Sequence, residues 1–491
     1  MDIAPEQVSA DGHWNLERPH DECGVFGIWN HSDAAALTAL GLHALQHRGQ
    51  ASAGIVSHDA HRFYSHRGLG LVGENFENRA VMDTLKGHRA IGHNRYATTG
   101  GVVLRNVQPL YADFAFGGLA VGHNGNLTNA TMLRRSLVNR GCLFQSTSDS
   151  EVFIHLIAMS RFGTVIDRLT DTLRQVVGAY SLIALTENAL IGARDPLGVR
   201  PLILGRLGTD GWVLASETCA LAIVDAEFVR DIEPGEIVVI TDTGIQSIKP
   251  FTAQPSRFCV FEYIYFARPD SVVEGMPVYG ARKRIGEVLA RESHVDADVV
   301  VPVPDSGVPS AMGYAAESGI PFELGIIRNH YVGRTFIEPS DSIRHLGVKL
   351  KHSANKAVLQ GKRVILVDDS IVRGTTSRKI VEMVRAAGAT EVHMRISSPP
   401  TTYSCFYGID TPERSKLLAY RLSVEEMAAR IGVDSLAFIS KDGLYQALGH
   451  ANRDPRQPQY CDACFTGDYP ISLPDISDND TRQLTLLSEV V

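Results

Sequence analysis

Val364-Ile-Leu-Val-Asp-Asp-Ser-Ile-Val-Arg-Gly-Thr-Thr-Ser377 decides how the second half of this chain folds. Its four apolar residues, Val364 to Val367, read as a buried parallel strand, since a strand covered on both faces needs no polar alternation. Asp368 and Asp369 stand where that strand ends. A short polar turn follows, in which Gly374 frees the backbone, and residues 377–387 are expected to be helical. Strand, turn and helix in that order aim backbone N–H groups at one point, near the positive end of the helix dipole. That arrangement is a phosphate cradle. Carboxylates cannot bind phosphate directly, so the two acids suit ribose hydroxyls or a Mg²⁺ shared with a diphosphate. The stretch contains no Gly-Lys-Ser/Thr and is not a Walker A loop.

Outward from this point, the 491-residue chain is long enough for about two to four domains. Hydrophobic residues make up 44% and charged residues 21%, as in a globular protein. The net charge of −8 and the lack of a dense Lys/Arg tract disfavour nucleic-acid binding. No apolar run reaches about 18 residues, so no transmembrane helix and no membrane partner are expected. Residues 1–22 are polar, with no signal-peptide core, which points to the cytoplasm. After Pro470 the chain turns acidic and polar, and about its last dozen residues are expected to be disordered.

The first half opens abruptly at Cys23-Gly-Val-Phe-Gly-Ile-Trp29, which alternates as a strand does. A helix is expected next, with Asp33 as N-cap and Leu37, Leu40 and Ala44 on its buried face. Short strands with Gly-rich turns continue to about residue 130, and helices alternate with strands from there to about 255. Gly68-Leu-Gly-Leu-Val-Gly73 matches a dinucleotide fingerprint as a string. No strong strand precedes it and no apolar-faced helix is expected after it, so turn glycines are the better account.

Four polar clusters stand out: His47-Arg-Gly-Gln50, Gly92-His-Asn-Arg-Tyr-Ala-Thr-Thr-Gly100, Gly122-His-Asn-Gly-Asn-Leu127 and Ser148-Asp-Ser-Glu151, the last expected to cap an apolar helix. Each alone is an ordinary loop. Together they fit one chemistry. A cysteine at a chain start can use its own α-amino group as base, because that amine titrates near 8. The thiolate attacks a side-chain amide, and the oxyanion needs preset donors, which the Asn124 amide and the Gly125 N–H could supply. A substrate amino acid needs a cation for its carboxylate, Arg95, and an anion for its ammonium, Asp149. Cys23 is internal as written, so this chemistry demands cleavage between Glu22 and Cys23.

In the second half, residues 298–303 read as a buried strand, followed by Pro304-Asp-Ser-Gly-Val308. A glycine-bearing turn at a strand's carboxyl end is where open α/β sheets bind ligands. Cys461-Asp-Ala-Cys464 has metal-type spacing, and Cys259 and Cys405 could complete a Cys₄ site. Ligand count leaves zinc and an iron–sulfur cluster both open, with zinc slightly favoured. Cys142 and Cys219 sit among apolar neighbours as core residues.

The Asp368-Asp369 to Thr376 run resembles the signature of type I phosphoribosyltransferases, which bind phosphoribosyl pyrophosphate (PRPP). From Cys23 to about Pro470 the chain resembles the amidophosphoribosyltransferase family. Its first half is similar to the class II glutamine amidotransferases. The implied fold class is α/β in two domains: an N-terminal-nucleophile αββα sandwich, then a phosphoribosyltransferase fold with a mostly parallel sheet. The implied division is a propeptide over 1–22, an amidotransferase domain over 23–254, a phosphoribosyltransferase domain over 255–470 and a tail over 471–491.

By this resemblance Cys23 is the nucleophile and Asn124 with Gly125 the oxyanion hole, while Arg48, Gly49, Arg95 and Asp149 hold glutamine. PRPP is implied to contact Asp305, Ser306, Gly307, Asp368, Asp369, Ser370, Arg373, Gly374, Thr375 and Thr376. Ser306, Asp368 and Asp369 are implied to surround Mg²⁺. Residues 331–337 resemble a flap that closes over PRPP, and a basic stretch, 344–352, follows. Family members with a removable propeptide carry a 4Fe–4S cluster, and the match around Cys259, Cys405, Cys461 and Cys464 implies one here. A homotetramer inhibited by purine nucleotides is also implied.

The expected reaction hydrolyses glutamine at Cys23 and delivers ammonia to C1 of PRPP, giving 5-phosphoribosylamine, the first step of purine synthesis. The rival from another class is a PRPP-sensing regulator without turnover. A different glutamine-dependent synthase would share the first half only.

Overall fold

The computed structural model describes residues 23–95, 102–329 and 352–476. The expected propeptide 1–22, the expected flap at 331–337, most of the basic stretch after it, and the end of the 92–100 cluster lie outside the described residues, as do the last residues of the expected tail. By contact the chain divides into two compact units. One holds 23–281 with 403–414 and 453–476, and the other Arg282–Thr402 with Ser415–Asn452. Among the described residues no helix is long and apolar enough to cross a membrane.

The first unit is built on thirteen strands: β1 (Gly24–Trp29), β2 (Ser52–His58), β3 (Phe63–Leu69), β4 (Arg89–Arg95), β5 (Leu110–Phe114), β6 (Gly117–Leu127), β7 (Gly178–Thr186), β8 (Leu190–Arg194), β9 (Ile203–Leu207), β10 (Gly211–Ala215), β11 (Glu227–Asp231), β12 (Ile237–Thr241) and β13 (Gly244–Ile248). They form two antiparallel sheets, ordered β11-β9-β10-β1-β4-β2-β3 and β13-β12-β8-β7-β6-β5. Strand periodicity sorts their side chains into three layers. Val25, Trp29, Val56 and Ile91 of one sheet meet Ala120, Ile183 and Leu190 of the other. Phe26, Ile28 and Ala53 face α1 (Ala34–Ala44) on one outer side. Leu119, Val121 and Leu182 face α2 (Ala130–Asn139), α3 (Glu151–Met159) and α4 (Val165–Leu173) on the other. The result is an αββα sandwich, the layer order expected for this half.

Two local expectations are corrected here. Leu40 of α1 is 44% exposed, while Ala44 is buried and Leu37 packs against the core as expected; the buried face also takes in Ala34, Ala35, Thr38, Gly41 and Leu42. The helix lies so close to the sheet that a Cβ on Gly41 would come within 2.6 Å of the Phe26 ring. At that turn glycine faces inward and Leu40 is displaced outward. Gly68–Gly73 is flanked by a strand and a helix after all, β3 and the five-residue Val72–Phe76. But β3 is the edge of an antiparallel sheet and the helix is little more than one turn, so the string is not a βαβ phosphate site.

The second unit centres on four parallel strands, β14 (Val299–Pro302), β15 (Arg363–Asp368), β16 (Glu391–Ile396) and β17 (Ser435–Phe438), in sequential order. The helices α5 (Val308–Ser318), α6 (Thr375–Ala386) and α7 (Val424–Ile431) supply the connections, as parallel pairing requires. Val364, Ile365, Leu366 and Val367 are fully buried, which explains their unbroken apolar run.

Candidate active sites

The first site begins with strand register. On β1 the inward residues are Val25, Gly27 and Trp29, and Cys23, just before the strand, falls in step with them. Gly24 pairs with Asn94 across the β1–β4 ladder, which brings Cys23 opposite Arg95. Arg95 continues the inward set of Ile91 and His93 on β4, and Asn124 that of Ala120 and Gly122 on β6. Cys23, Arg95 and Asn124 thus share the space between the sheets, and all three are buried. Burial pulls the Arg95 guanidinium down, against the fields of Cys23 and Asp149, which favour its charge.

Asn124 is fully buried, and among the described residues neither its Oδ1 nor its Nδ2 has a partner. An amide left so costs about 1–3 kcal/mol, an expense seldom kept without a function. Gly125 has φ +132, and a Cβ there would meet Ala179 O at 2.1 Å, so no other residue fits. His93 sits in the same layer, its Nε2 3.0 Å from His123 O, and burial drives its pKa to about 3. The imidazole is therefore neutral.

Asp149 Oδ2 accepts from Leu127 N at 3.0 Å. The Ser-Asp-Ser-Glu run opens α3 as expected, with Ser150 at the N-cap position and Ser148 Oγ accepting from Ser150 N at 3.3 Å, but Ser150 Oγ itself makes no cap bond and turns to Asp149 Oδ1 at 3.4 Å. Glu151 folds back to accept from Gln145 N and Ser146 N, each at 2.7 Å, which pins the loop carrying Asp149.

Arg48, expected beside glutamine, turns its side chain to two carboxylates. Its guanidinium is wholly buried against Glu217 and Glu262, and two carboxylates raise its already high pKa further against the cost of burial. That leaves its backbone, not its charge, to face a ligand. Gly49, next in the chain, lies against the Arg95 main chain, where a Cβ would approach to 2.7 Å.

The second site is at the carboxyl end of β14 and β15. Asp368 and Asp369 are buried there, 2% and 0% exposed. Ser306 Oγ donates to Asp369 Oδ1 at 2.5 Å and Ser370 Oγ to Asp369 Oδ2 at 2.6 Å. Asp369 N closes back on Asp368 Oδ1 at 2.9 Å. Gly307 packs so tightly that a Cβ would meet Val367 O at 2.4 Å, which draws the 304–308 turn onto the acid pair. Asp305 points elsewhere, ion-paired with Arg328.

The helix begins two residues earlier than expected, at Thr375, with Gly374 at φ +82 as its N-cap. A left-handed residue there ends the turn sharply, so Thr375 and Thr376 are the first helical residues. Their N–H groups are helix-terminal donors rather than turn donors. Beside them Arg373 Nε is buried without a partner among the described residues.

The third group is the four cysteines. Cys259 and Cys461 are neighbours in a two-residue parallel pair. Cys405 and Cys464 join them around one cavity, lined also by Arg200, Tyr407 and Tyr469. All four are buried free thiols. Desolvation pushes Cys259 and Cys464 up and Cys461 to about 12, so these thiols stay protonated unless a cation replaces the proton. Among the described residues no three His, Cys, Asp or Glu side chains are grouped to hold a single metal ion.

Comparison with known proteins decides the family. The chain is 60% identical over 463 residues to an amidophosphoribosyltransferase of Rhizobium etli, covering 93% of each. This chain belongs to the amidophosphoribosyltransferase family. A chloroplastic amidophosphoribosyltransferase of Vigna aconitifolia is 50% identical, over 96% of this chain and 95% of that one. A solved glutamine PRPP amidotransferase from Bacillus subtilis, complexed with ADP and GMP, superposes with a TM-score of 0.87 at 50% identity, covering 92% of this chain and 98% of that one. Family models described as glutamine amidotransferase domain and phosphoribosyl transferase domain match residues 93–222 and 280–397.

For an amidophosphoribosyltransferase-family chain, two features of the sites escape sequence reading. Glu217 and Glu262, which enclose Arg48, stand 169 and 214 residues from it in the chain. Their only sequence signal is an isolated Glu in an apolar setting, which does not name its partner.

Proposed function

We infer that this chain is an amidophosphoribosyltransferase, a glutamine amidotransferase and phosphoribosyltransferase acting at the first step of purine biosynthesis. The observation that carries this is identity with such enzymes along nearly the whole of both chains. A PRPP sensor would need only the second half, and does not account for relatives that match through both. The direct test is an assay with glutamine and PRPP: glutamate and pyrophosphate should appear in equal amounts. Turnover of neither substrate would restore the sensor reading.

In the first half-reaction, Cys23 Sγ attacks the glutamine side-chain amide, with the Cys23 α-amine as base once residues 1–22 are removed. Asn124 Nδ2 and Gly125 N–H take the oxyanion. Its buried amide, without a partner among the described residues, supports Asn124 in this role, since a donor already bonded elsewhere would have to reorganise. Ammonia leaves, and water then hydrolyses the thioester to glutamate. Arg95 holds the substrate carboxylate, Asp149 its ammonium, and the Arg48–Gly49 backbone its remaining polar edge. Asn124→Ala is expected to lower glutamine-dependent kcat by ~10²–10³-fold while ammonia-dependent synthesis stays within twofold. Steady-state assays with each nitrogen source check it.

In the second half-reaction ammonia displaces pyrophosphate from C1 of PRPP. Asp368 and Asp369 hold the ribose hydroxyls, the Gly374-Thr375-Thr376 helix start with Ser370 and Arg373 holds the 5-phosphate, and the 305–307 turn holds pyrophosphate. No protein base is needed, since ammonia is already a nucleophile. The oxygen-only set of Ser306, Asp368 and Asp369 suits Mg²⁺, which when bound neutralises the leaving diphosphate.

The four cysteines fit a 4Fe–4S cluster better than zinc. Four buried thiols line one cavity, and a cluster spreads four thiolates around a larger body than a single ion does. Such a cluster would supply a covalent tie between three distant segments. Intact mass with metal analysis tests both proposals at once: the chain should begin at Cys23 and carry about four irons. Zinc, or active material that still begins at Met1, would overturn one or the other.

The rest of the reading is a cytoplasmic homotetramer inhibited by purine nucleotides. The nucleotides bound to the Bacillus subtilis relative support the inhibition.

A further inference from the structure

Between the cysteine cavity and the glutamine site runs a closed set of buried charges that neither half-reaction uses. Arg48 Nη2 donates to Glu262 Oε2 at 2.5 Å and Nη1 to Glu262 Oε1 at 3.2 Å, a two-point grip. On its other side Arg48 Nε bonds Glu217 Oε1, which His47 Nε2 also reaches at 2.7 Å. Glu217 Oε2 is held in turn by Ser271 Oγ at 2.7 Å and Arg268 N at 2.8 Å. Glu262 faces a second cation, Arg200, at 3.7 Å. Arg200 lines the cysteine cavity and donates to Tyr407 O from Nε at 2.8 Å and Nη2 at 2.6 Å, while Tyr407 N points at Cys405 Sγ, 3.3 Å away. Arg48, Arg200, Glu217 and Glu262 are each no more than 1% exposed, and two positive charges meet two negative ones.

Arg48 is followed at once by Gly49, whose main chain is packed on that of Arg95 with no room for a Cβ. Ala51 N then bonds Arg95 O at 2.9 Å. A displacement of Arg48 therefore moves the floor beneath Arg95. A buried ion set of this kind is a poor source of net stability but a good fixer of geometry, because each member has one arrangement in which every charge is matched.

We propose that Glu262 is a positioning residue for glutamine, holding Arg48 and through it Gly49 against Arg95, and that Arg200 braces this grip from the wall of the four-cysteine cavity. The proposal rests on the reading of Gly49 and Arg95 as glutamine contacts. It assigns Glu262 no contact with substrate. The consequence is selective: loosening Glu262 degrades glutamine recognition without altering the thiol or the PRPP site.

The test uses the full chain as purified, with Glu262→Gln, which keeps the shape and removes the charge. The KM for glutamine should rise about tenfold, kcat with saturating glutamine should fall by less than about threefold, and synthesis from ammonia should stay within about twofold. A diazoketone analogue of glutamine gives a readout without turnover. The concentration for half-maximal labelling of Cys23 should rise by the same factor as KM, at an unchanged limiting rate. Glu262→Gln combined with Arg200→Gln restores charge balance, and is measured alongside or alone if the single variant does not fold. It should recover thermal stability and still show the raised KM. A KM equal to wild type in the single variant, or recovered together with stability in the double, would overturn the proposal. Loss of glutamine and ammonia activities in step would do the same. If unmodified protein hydrolyses no glutamine at all, the functional reading fails instead.

Discussion

Cys23→Ala is expected to lose glutamine-dependent synthesis by on the order of 10⁴-fold or more, while synthesis from high ammonia persists. The asymmetry follows from where the residue sits. Cys23 is an inward-facing residue at the start of the αββα sandwich, with Arg95 and Asn124 in the same layer. Among the described residues there, no other side chain offers a nucleophile: His93 is neutral and bonded to a backbone oxygen, and Asn124 is an amide. Removing the sulfur therefore leaves no alternative route to the acyl intermediate. The second half-reaction asks only for free ammonia, which does not pass through the thiol. A volume change of one sulfur atom in a well-packed layer costs about 1–2 kcal/mol of stability at most, too little to unfold the unit. The measurement is a pair of rate assays on the same preparation, one with glutamine and one with ammonium at alkaline pH. Parallel loss of both in a folded protein would mean that the two chemistries share one site.

Asp369→Asn should show the opposite pattern, with kcat/KM for PRPP lower by on the order of 10²-fold whichever nitrogen source is supplied. Both carboxylate oxygens of Asp369 already accept from hydroxyls, Ser306 at 2.5 Å and Ser370 at 2.6 Å, on a fully buried group. The amide can accept on one side only, so it must turn an N–H towards one of those hydroxyls and disturb either the 304–308 turn or the turn that leads to Gly374. It also removes the negative charge suited to Mg²⁺ and ribose hydroxyls. Glutamine hydrolysis measured by itself should be affected far less. A variant that lost glutamine-dependent synthesis yet used ammonia normally would take Asp369 out of the PRPP site.

Much of this was legible in residue order because both halves advertise themselves locally. The Val364–Val367 run, the acid pair and Gly374 lie within a dozen residues, so strand, turn and helix start could be read as one unit, wrong only in placing Thr375 and Thr376 before the helix rather than in it. The helix start was misjudged because the αL conformation of Gly374 allows an earlier entry than the polar composition of the turn suggests. On α1 only Leu40 departs from the expected buried face: the helix approaches Phe26 so closely at Gly41 that the neighbouring leucine is turned out, while Ala44 and Leu42 stay inside.

What sequence alone determined is therefore the course of short segments: Val364–Val367 as a buried strand with Asp368 and Asp369 at its end, and the alternating stretch from Cys23 to Trp29 as the strand that opens the first half. What only the tertiary structure decided is how distant segments share a charge. It enclosed the Arg48 guanidinium between Glu217 and Glu262. It also left the Asn124 amide buried with no partner among the described residues. The physical reason is that desolvation and charge pairing depend on neighbours brought in from 169 and 214 residues away, and no local pattern encodes that distance.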